Sequence, residues 1–175
     1  MATGGRTRAE GPIRFCVLTV SDRCAAGAME DRSGPAVRAI VEKRLGGECV
    51  GTAVQADEAE KITAKLRAWV EGTHPDLVLT TGGTGLGPRD VTPEATRRVL
   101  EREHSGLVEL IRLRGLEKTP LVYLSRGIAG TCGRTLILNL PGSERGAAES
   151  LEAVVDVLGH AVEMLRGGDH HARVE

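Results

Sequence analysis

The chain has 175 residues, of which 41% are hydrophobic and 27% are charged, and its formal net charge is −1. These values are typical of one globular domain with a full hydrophobic core. A charge near zero argues against a general nucleic-acid-binding protein, and an aromatic content of 2% leaves few rings that could stack on bases.

The sequence lacks the features of a secreted, zinc-binding or membrane-spanning protein. Its four cysteines form no Cys-x-x-Cys pair and no zinc-like set with histidine. It contains no signal peptide and no apolar segment long enough to span a bilayer. We therefore expect a cytoplasmic protein that binds neither nucleic acid nor membrane.

The first third of the chain alternates predicted strands and helices. Residues 13–20 are nearly all apolar or β-branched, as in a strand buried on both faces. A loop of small residues follows, and a helix is predicted to begin near Ser33 and to end at the glycines 46–47. A second strand is predicted at residues 48–55, followed by a helix whose apolar face includes Trp69.

The stretch from residue 77 to residue 96 is the most informative part of the sequence. Residues 77–81 are predicted to form a short strand. The next six residues, 82–87, include four glycines, which are unsuited to a strand interior but let backbone amides approach a ligand closely. Asp90 follows this glycine loop, and Thr92 is predicted to be the N-cap of a helix.

The glycine loop matches neither of the common phosphate-binding motifs. It has no lysine, which a P-loop requires, and glycines at 83, 85 and 87 do not fit the dinucleotide-binding fingerprint. Open amides beside a helix N-terminus nevertheless suit a phosphate. Because Asp90 would repel an anion there, a cation such as Mg²⁺ is expected between them. The alternative is a tight strand-to-helix turn in which the glycines serve backbone geometry alone.

The remainder of the chain is predicted to add one more buried strand, at residues 135–140. A Pro-Gly-Ser turn follows it and leads into a helix with a regular apolar stripe. The other segments are predicted as short helices at 93–103 and 106–115, an extended segment at 119–125, a glycine-rich loop at 126–134 and a single last helix at 147–165.

Strands that alternate with helices predict an α/β fold with a largely parallel sheet covered on both faces. We expect one domain at residues 12–167, with flexible polar tails at 1–11 and 168–175. Ligands of such sheets bind beyond the carboxyl ends of the strands, so residues at those positions are the candidates for a site.

Four unusual segments follow the carboxyl ends of predicted strands. They are Ser21-Asp22, Asp57, the glycine loop with Asp90, and the turn Pro141-Gly142-Ser143. Two of the aspartates could hold Mg²⁺ against a triphosphate, and the Pro-Gly-Ser turn is a second cradle for an anion. For each aspartate taken alone, a cap of a helix or turn is the favoured interpretation, so the prediction of a site rests on their shared edge. No Ser/His/Asp or Cys/His nucleophile arrangement accompanies them, since His104 and His160 lie elsewhere.

Several of these segments resemble a known family. Residues 20–23 (Val-Ser-Asp-Arg), 31–35 (Asp-Arg-Ser-Gly-Pro), 80–85 (Thr-Thr-Gly-Gly-Thr-Gly), 88–96 (Pro-Arg-Asp-Val-Thr-Pro-Glu-Ala-Thr) and 138–143 (Leu-Asn-Leu-Pro-Gly-Ser) are similar, in this order, to the molybdopterin adenylyltransferases of molybdenum cofactor synthesis. That family includes the bacterial Mog-type enzymes and the G domain of gephyrin. The resemblance covers roughly residues 13–166. Residues 144–146, Glu-Arg-Gly, are closer to the gephyrin form than to the Pro-Lys of many bacterial members.

The resemblance implies a three-layer αβα fold, a homotrimer, and transfer of AMP from Mg·ATP to the terminal phosphate of molybdopterin with release of pyrophosphate. It implies that Asp57 and Asp90 are the catalytic, metal-binding acids. It implies that the substrates are bound by Ser21, Asp22, Gly82, Gly83, Thr84, Gly85, Pro141, Gly142 and Ser143. The product would pass to a separate molybdate-inserting enzyme. The alternatives are a non-catalytic molybdopterin-binding or assembly relative of the same fold, and a nucleotide-regulated scaffold without affinity for pterin.

Overall fold

A computed structural model describes residues 11–167, and within them the chain forms one six-stranded sheet. The strands are β1 (Arg14–Val20), β2 (Glu48–Gln55), β3 (Leu77–Thr81), β4 (Arg102–Glu103), β5 (Ala129–Cys132) and β6 (Thr135–Leu140). Their order in the sheet is β2-β1-β3-β6-β5-β4. The first four in this order are parallel to one another, whereas β5 and β4 are added antiparallel at the edge beyond β6.

Helices cover both faces of the sheet. They are α1 (Asp22–Ala25), α2 (Ser33–Leu45), α3 (Ala59–Ala68), α4 (Thr92–Arg97), α5 (Ser105–Gly115), α6 (Glu144–Glu152) and α7 (Val155–Arg166), with a π-helical turn at Trp69–Thr73 and a 3₁₀ turn at Pro120–Leu124. One apolar cluster joins α2, α5, α6 and α7 to the sheet, and a second joins α3 and α4 to the opposite face. The prediction of a three-layer αβα fold with a mostly parallel sheet is confirmed.

The two clusters arise from strict alternation along the central strands. Phe15 and Val17 of β1 face the first cluster, whereas Cys16 and Leu18 face the second. All of these side chains are at most 2% exposed. A strand buried on both faces must be apolar at every position, which is why β1 reads as a continuous hydrophobic run. Within residues 11–167, no helix is both long and apolar enough to cross a membrane.

The structure corrects four predictions of secondary structure, two of which concern the sheet edge. β5 forms inside the predicted glycine-rich loop 126–134. Its partner β4 occupies the end of the predicted helix 93–103, of which only the first part is helical, in α4. A Cβ atom at Gly130 would lie 2.4 Å from the carbonyl oxygen of Arg102, so the glycine is what lets these two strands approach. The pairing is long-range, and a two-residue strand such as β4 carries no alternation that the sequence could reveal.

The other two corrections concern helices. Residues 119–125, predicted as extended, contain a 3₁₀ turn because the Thr119 side chain accepts a hydrogen bond from the Leu121 N–H and Pro120 fits the first turn. The predicted single last helix is two, α6 and α7. Where α6 ends, the Ala153 carbonyl oxygen accepts a hydrogen bond from Arg114 at 2.7 Å. The predicted tails lie outside the described residues, except for Gly11.

A buried ion pair joins the last helix to the start of the sheet. Arg166 donates to both carboxylate oxygens of Asp76, at 3.1 and 2.7 Å, and the two side chains are only 10% and 5% exposed. Asp76 also accepts a hydrogen bond from the Arg14 N–H at 2.8 Å, and Arg166 donates to the Pro12 carbonyl oxygen at 2.9 Å. This network fixes the end of the sheet opposite to the carboxyl ends of its parallel strands.

We expect Asp76→Asn to lower the free energy of unfolding by about 3–5 kcal/mol, because it leaves the Arg166 guanidinium buried without its counter-charge. Urea denaturation measures the change. Asp156→Asn is the matched control, since the Arg114–Asp156 pair is 43% and 51% exposed and should be worth no more than about 1 kcal/mol. Equal losses in the two variants would contradict this account of the buried pair.

Candidate functional site

A cavity of about 750 Å³ lies beyond the carboxyl ends of β1, β2, β3 and β6. All four segments predicted to converge there contribute to its wall: Ser21 and Asp22, Asp57, Gly82 and Gly83 with Asp90, and Gly142 and Ser143. The segment before α2 forms the remaining side of the cavity. The convergence follows from the sheet order, because β2, β1, β3 and β6 are neighbours and parallel and so end on the same edge.

Two glycines at the end of β3 permit this convergence. Gly82 and Gly83 have φ values of 97° and 64°, which side chains other than glycine rarely adopt. A Cβ atom at Gly82 would lie 2.1 Å from the carbonyl oxygen of Val20, at the end of β1. A Cβ atom at Gly142 would lie 3.0 Å from the Gly82 Cα. The ends of β1, β3 and β6 are therefore in contact around Gly82.

Asp22 and Asp57 hold the ends of β1 and β2 together by reciprocal hydrogen bonds. The Asp22 N–H donates to Asp57 Oδ2 at 2.8 Å, and the Asp57 N–H donates to Asp22 Oδ1 at 3.0 Å. Neither side chain acts as a simple cap of its own helix. The N-cap position of α3 is Glu58, and no side chain caps that helix. The alternative prediction that Asp57 is a helix cap is therefore wrong.

Arg89, which lies between the glycine loop and Asp90, forms an ion pair with Asp22 at the cavity wall. Its Nε and Nη2 donate to the two carboxylate oxygens of Asp22 at 3.0 and 2.9 Å, in the two-point geometry that arginine favours with carboxylates. These hydrogen bonds hold the pKa of Asp22 below its ordinary value, with help from the Asp57 N–H. Asp22 is therefore an ionised carboxylate that links three loops.

Asp57 has the opposite electrostatic character. Burial raises the pKa of its carboxyl group above the ordinary value, and the negative charges of Asp22 and Asp90 raise it further. The Asp22 N–H and the more distant Arg89 oppose this shift without cancelling it. Asp57 is therefore a carboxylate whose charge is poorly compensated by the protein, which is the condition under which a cation binds.

Asp90 folds back onto the glycine loop. Its Oδ2 accepts a hydrogen bond from the Gly87 N–H at 2.8 Å. A Cβ atom at Gly85 or Gly87 would come within 2.9 or 2.8 Å of this oxygen, so both glycines make room for the carboxylate. Asp90 therefore caps the loop and not the following helix.

Thr92, predicted as the N-cap of α4, is instead its first residue. Val91 occupies the N-cap position, and no side chain caps the helix. The Thr92 hydroxyl donates to the Gly82 carbonyl oxygen at 2.8 Å and is fully buried. The Thr92 hydroxyl therefore bonds to the turn at Gly82 and does not cap α4.

Two serines at the site cap helices with their side-chain oxygens. The Ser21 Oγ accepts a hydrogen bond from the Cys24 N–H at 3.2 Å, and the Ser143 Oγ accepts one from the Gly146 N–H at 3.1 Å. A hydroxyl that accepts in this way keeps its own proton to donate. Each serine therefore presents a donor at the cavity, beside the first turns of α1 and α6.

The acids at the site suit a cation that arrives with its ligand. Among residues 11–167, no three or more His, Cys, Asp or Glu side chains are grouped so that they could hold a metal ion. The oxygens Asp57 Oδ1 and Asp90 Oδ1 accept no hydrogen bond from any residue in the same range. Two uncommitted carboxylate oxygens suit Mg²⁺, which takes few protein ligands when phosphate oxygens supply others.

Three predicted binding residues do not line this cavity. Thr84 is 4% exposed, and its side-chain oxygen accepts a hydrogen bond from Ser125 at 3.3 Å. Gly85 packs on Asp90. Pro141 lines a neighbouring cavity of about 840 Å³, which shares Ser143 with the site. The backbone of the glycine loop and the turn after β6 still border the site through their other members.

Sequence reasoning missed the wall formed by the segment before α2 and the first residue of that helix, where Met29, Glu30, Arg32 and Ser33 line the cavity. Asp31 holds this wall in place. Its Oδ2 accepts a hydrogen bond from the Thr19 hydroxyl at 2.7 Å, and its Oδ1 accepts one from the Gly34 N–H at 3.0 Å. The signal that could have indicated this wall is the Asp-Arg-Ser-Gly-Pro segment at residues 31–35, which carries part of the family resemblance.

A family described as a probable molybdopterin binding domain matches residues 16–160, a range that includes all four strand ends of the site. This chain belongs to that family.

Relatives support the same assignment. A molybdopterin adenylyltransferase from Helicobacter pylori is 38% identical over 156 residues, which are 89% of this chain and 89% of that protein. The Drosophila melanogaster molybdenum cofactor synthesis protein cinnamon is 42% identical over 153 residues, which are 87% of this chain but only 26% of cinnamon. The crystal structure of the molybdopterin biosynthesis enzyme MoaB from Thermus thermophilus is 51% identical, with a TM-score of 0.83, and the match covers 89% of this chain and 97% of that one.

We expect Gly83→Ala to destabilise the protein more than Gly27→Ala does. Both glycines have positive φ values, 64° and 71°, so both variants carry backbone strain of about 1–2 kcal/mol. A Cβ atom at Gly83 would also lie 2.3 Å from Thr92 Oγ1 and 3.0 Å from Asp57 Oδ1, whereas one at Gly27 would meet nothing within 4 Å. Overpacking should add about 1–3 kcal/mol at Gly83, measured by urea denaturation. Equal losses would show that the loop can yield at this contact.

Proposed function

We propose that this protein is a molybdopterin adenylyltransferase, which transfers AMP from Mg·ATP to the terminal phosphate of molybdopterin and releases pyrophosphate. The observation that carries the proposal is the pairing, in one cavity, of a glycine loop that suits phosphate with two carboxylates that suit a cation. The name of the Helicobacter pylori relative and the family described above support the same substrate.

The charges of the site favour a nucleotide that carries Mg²⁺. Asp22, Asp57 and Asp90 all line the cavity, and bare triphosphate would be repelled by them. We propose that Asp57 and Asp90 bind the Mg²⁺ of Mg·ATP through the oxygens left free by their backbone contacts. The metal ion would offset the charge of the phosphates, and the protein would keep it in place.

The reaction needs no nucleophilic side chain. A terminal phosphate oxygen of molybdopterin attacks the α-phosphorus of ATP, the bond from that phosphorus to the bridging oxygen of the β-phosphate breaks, and pyrophosphate leaves with the electron pair. Catalysis of such a transfer consists of holding the two phosphates in line and stabilising negative charge as it moves. We assign these tasks to the backbone of Gly82–Gly85 and to the turn Pro141–Ser143, with Ser21 and Asp22 at the neighbouring end of β1.

The proposed enzyme is a homotrimer that works in the cytoplasm and passes its product to a molybdate-inserting enzyme. An apolar surface on α5 and the 3₁₀ turn supports the assembly. Leu113 and Tyr123 lie on one surface and are 64% and 55% exposed, and Leu121 of the same turn is 66% exposed, which is unusual for side chains of this size. Contact with further copies of the chain would cover them.

We expect light scattering at micromolar concentration to give three times the chain mass of 18.5 kDa. Leu113→Glu should shift the protein toward the monomer, because it places a charge in the apolar surface. Met164→Glu, a change of similar size at an exposed residue of α7, should leave the trimer intact. A monomeric wild-type protein would reject the assembly without bearing on the chemistry.

The decisive test of the activity is Asp57→Asn, assayed for pyrophosphate release from Mg·ATP and molybdopterin. We expect the rate to fall by at least about 100-fold, the scale on which one electrostatic contributor acts. Molybdopterin binding should persist, because the asparagine oxygen still accepts from the Asp22 N–H. Glu58→Gln is the matched control, since it removes the neighbouring negative charge from a side chain that does not line the cavity.

The same variant should not lose stability. A raised carboxyl pKa means that the stability linked to the protonated form is present below the ordinary pKa of 3.8 and is lost as the pH rises through the folded-state value. At pH 7 ionised Asp57 therefore costs stability, and Asp57→Asn should melt at the wild-type temperature or above it. Wild-type protein that binds molybdopterin and releases no pyrophosphate would instead be the non-catalytic relative considered above.

A further inference from the structure

The glycine loop directs its carbonyl groups toward the protein. Thr92 takes two of them: its hydroxyl donates to the Gly82 carbonyl oxygen at 2.8 Å, and its N–H donates to the Gly83 carbonyl oxygen at 3.0 Å. Within the loop, the Asp90 N–H donates to the Gly87 carbonyl oxygen at 3.0 Å.

Arg126 binds three further carbonyl groups, two inside the loop and one just after it. Its backbone N–H donates to the Thr84 carbonyl oxygen at 2.8 Å, its Nε to that of Gly85 at 2.8 Å, and its Nη2 to that of Asp90 at 2.6 Å. The third guanidinium nitrogen, Nη1, forms an ion pair with Glu94 on α4. The Arg126 side chain therefore joins Gly85 in the loop, Asp90 after the loop and the helix that follows it.

The amide groups of the loop are left for a ligand. A planar trans peptide points its N–H away from its C=O, and residues 11–167 contain no cis peptide bond. Because Thr92 and Arg126 bind the carbonyl groups of residues 82–85, the amides of residues 83–86, which belong to the same peptide groups, point away from those partners. Gly83 lines the cavity itself, whereas Thr84 and Gly85 do not. None of the amides of Gly83, Thr84 and Gly85 donates to any residue of the described chain. Successive unpaired amides of this kind form an anion-binding nest.

We propose that Arg126 is a positioning residue of the phosphate site, which holds the glycine loop so that its amides remain available as donors. The role deepens the proposed function, because these amides are the groups assigned to the substrate phosphates. It depends on the planar fork of the guanidinium, which reaches two carbonyl oxygens and a carboxylate at fixed angles. Glu94 balances the charge, and the Arg126 hydrogen bond keeps the pKa of Glu94 below its ordinary value.

Arg112 provides a matched control. It lies next to the same segment, where its Nη2 donates to the Ser125 carbonyl oxygen at 3.1 Å, and it is half-buried like Arg126. It makes no contact with the glycine loop among the hydrogen bonds of residues 11–167. Arg112→Met therefore removes an arginine of similar burial from the adjoining segment and leaves the carbonyl contacts of the loop in place.

The test follows the amide signals of residues 83–86 by NMR during titration with inorganic tripolyphosphate and Mg²⁺. They include the amide of Leu86, which shares a peptide group with the Gly85 carbonyl that the Arg126 side chain binds. In the wild-type protein these signals should shift on binding. Arg126→Met should weaken the affinity at least about 10-fold, and Arg112→Met should change it less than about 2-fold, because only the first variant frees the Gly85 and Asp90 carbonyl groups from the guanidinium. Arg126→Lys should resemble Arg126→Met, because a lysine keeps the charge but cannot span both carbonyl groups; it also carries the test if Arg126→Met does not fold.

Three results would overturn the proposal: wild-type affinity in Arg126→Lys, an equal loss in Arg112→Met, or loop amides that do not respond to the anion in the wild-type protein. The first would reduce Arg126 to a source of positive charge, and the second would reduce it to a general stabiliser. A wild-type protein that binds tripolyphosphate at these amides but releases no pyrophosphate would reject the proposed activity and leave the role of Arg126 intact.

Discussion

The site depends on the close approach of backbone at Gly82. A Cβ atom there would lie 2.1 Å from the Val20 carbonyl oxygen, so even alanine would force β1 and β3 apart at their ends. Gly142 meets the same point from β6. Because three strand ends touch at one residue, the groups that follow each strand are brought into a single cavity. The parallel sheet places these groups on the same side of the fold, and the contact at Gly82 brings them close to one another.

The same closeness explains the electrostatics of the site. The backbone N–H groups of Asp57 and Asp22 each donate to the other residue's carboxylate, and Arg89 compensates only Asp22 directly. The pKa of one carboxyl group is therefore lowered and that of the other is raised. A protein selected for stability alone would replace Asp57 with a neutral residue. A cation bound during the reaction would explain its negative charge, since the cation would offset the free-energy cost of ionising Asp57 beside Asp22 and Asp90.

Most of the sheet could be predicted from the sequence, because strands buried on both faces consist almost entirely of apolar and β-branched residues. The bounds predicted for β2, β3 and β6 match the structure. The edge strands could not be predicted, because β4 has two residues and β5 begins among glycines. Those strands exist through pairing with distant segments, which leaves no local pattern.

The candidate site divides in the same way. Asp57 and Asp90 could be placed on one edge because each follows a recognisable strand, and that edge collects the ends of parallel strands. The contacts that orient them could not be foreseen. Arg89 meets Asp22 across 67 positions of sequence, and Arg126 meets the Gly85 carbonyl oxygen across 41. Such contacts depend on tertiary packing. The local sequence around Arg89 or Arg126 contains no pattern that predicts its distant partner.

The antiparallel strand β5 also contributes to the site, because its direction determines where Arg126 lies. β5 runs opposite to β6, so the segment that precedes β5 lies at the edge where β6 ends, which is also the edge of the glycine loop. Asn139 anchors that segment: its Oδ1 accepts from the Ile128 N–H at 3.2 Å, and its N–H donates to the Ile128 carbonyl oxygen at 2.9 Å. A parallel strand in this place would enter from the far edge. The antiparallel direction of β5 therefore places Arg126 next to the carbonyl groups of the glycine loop.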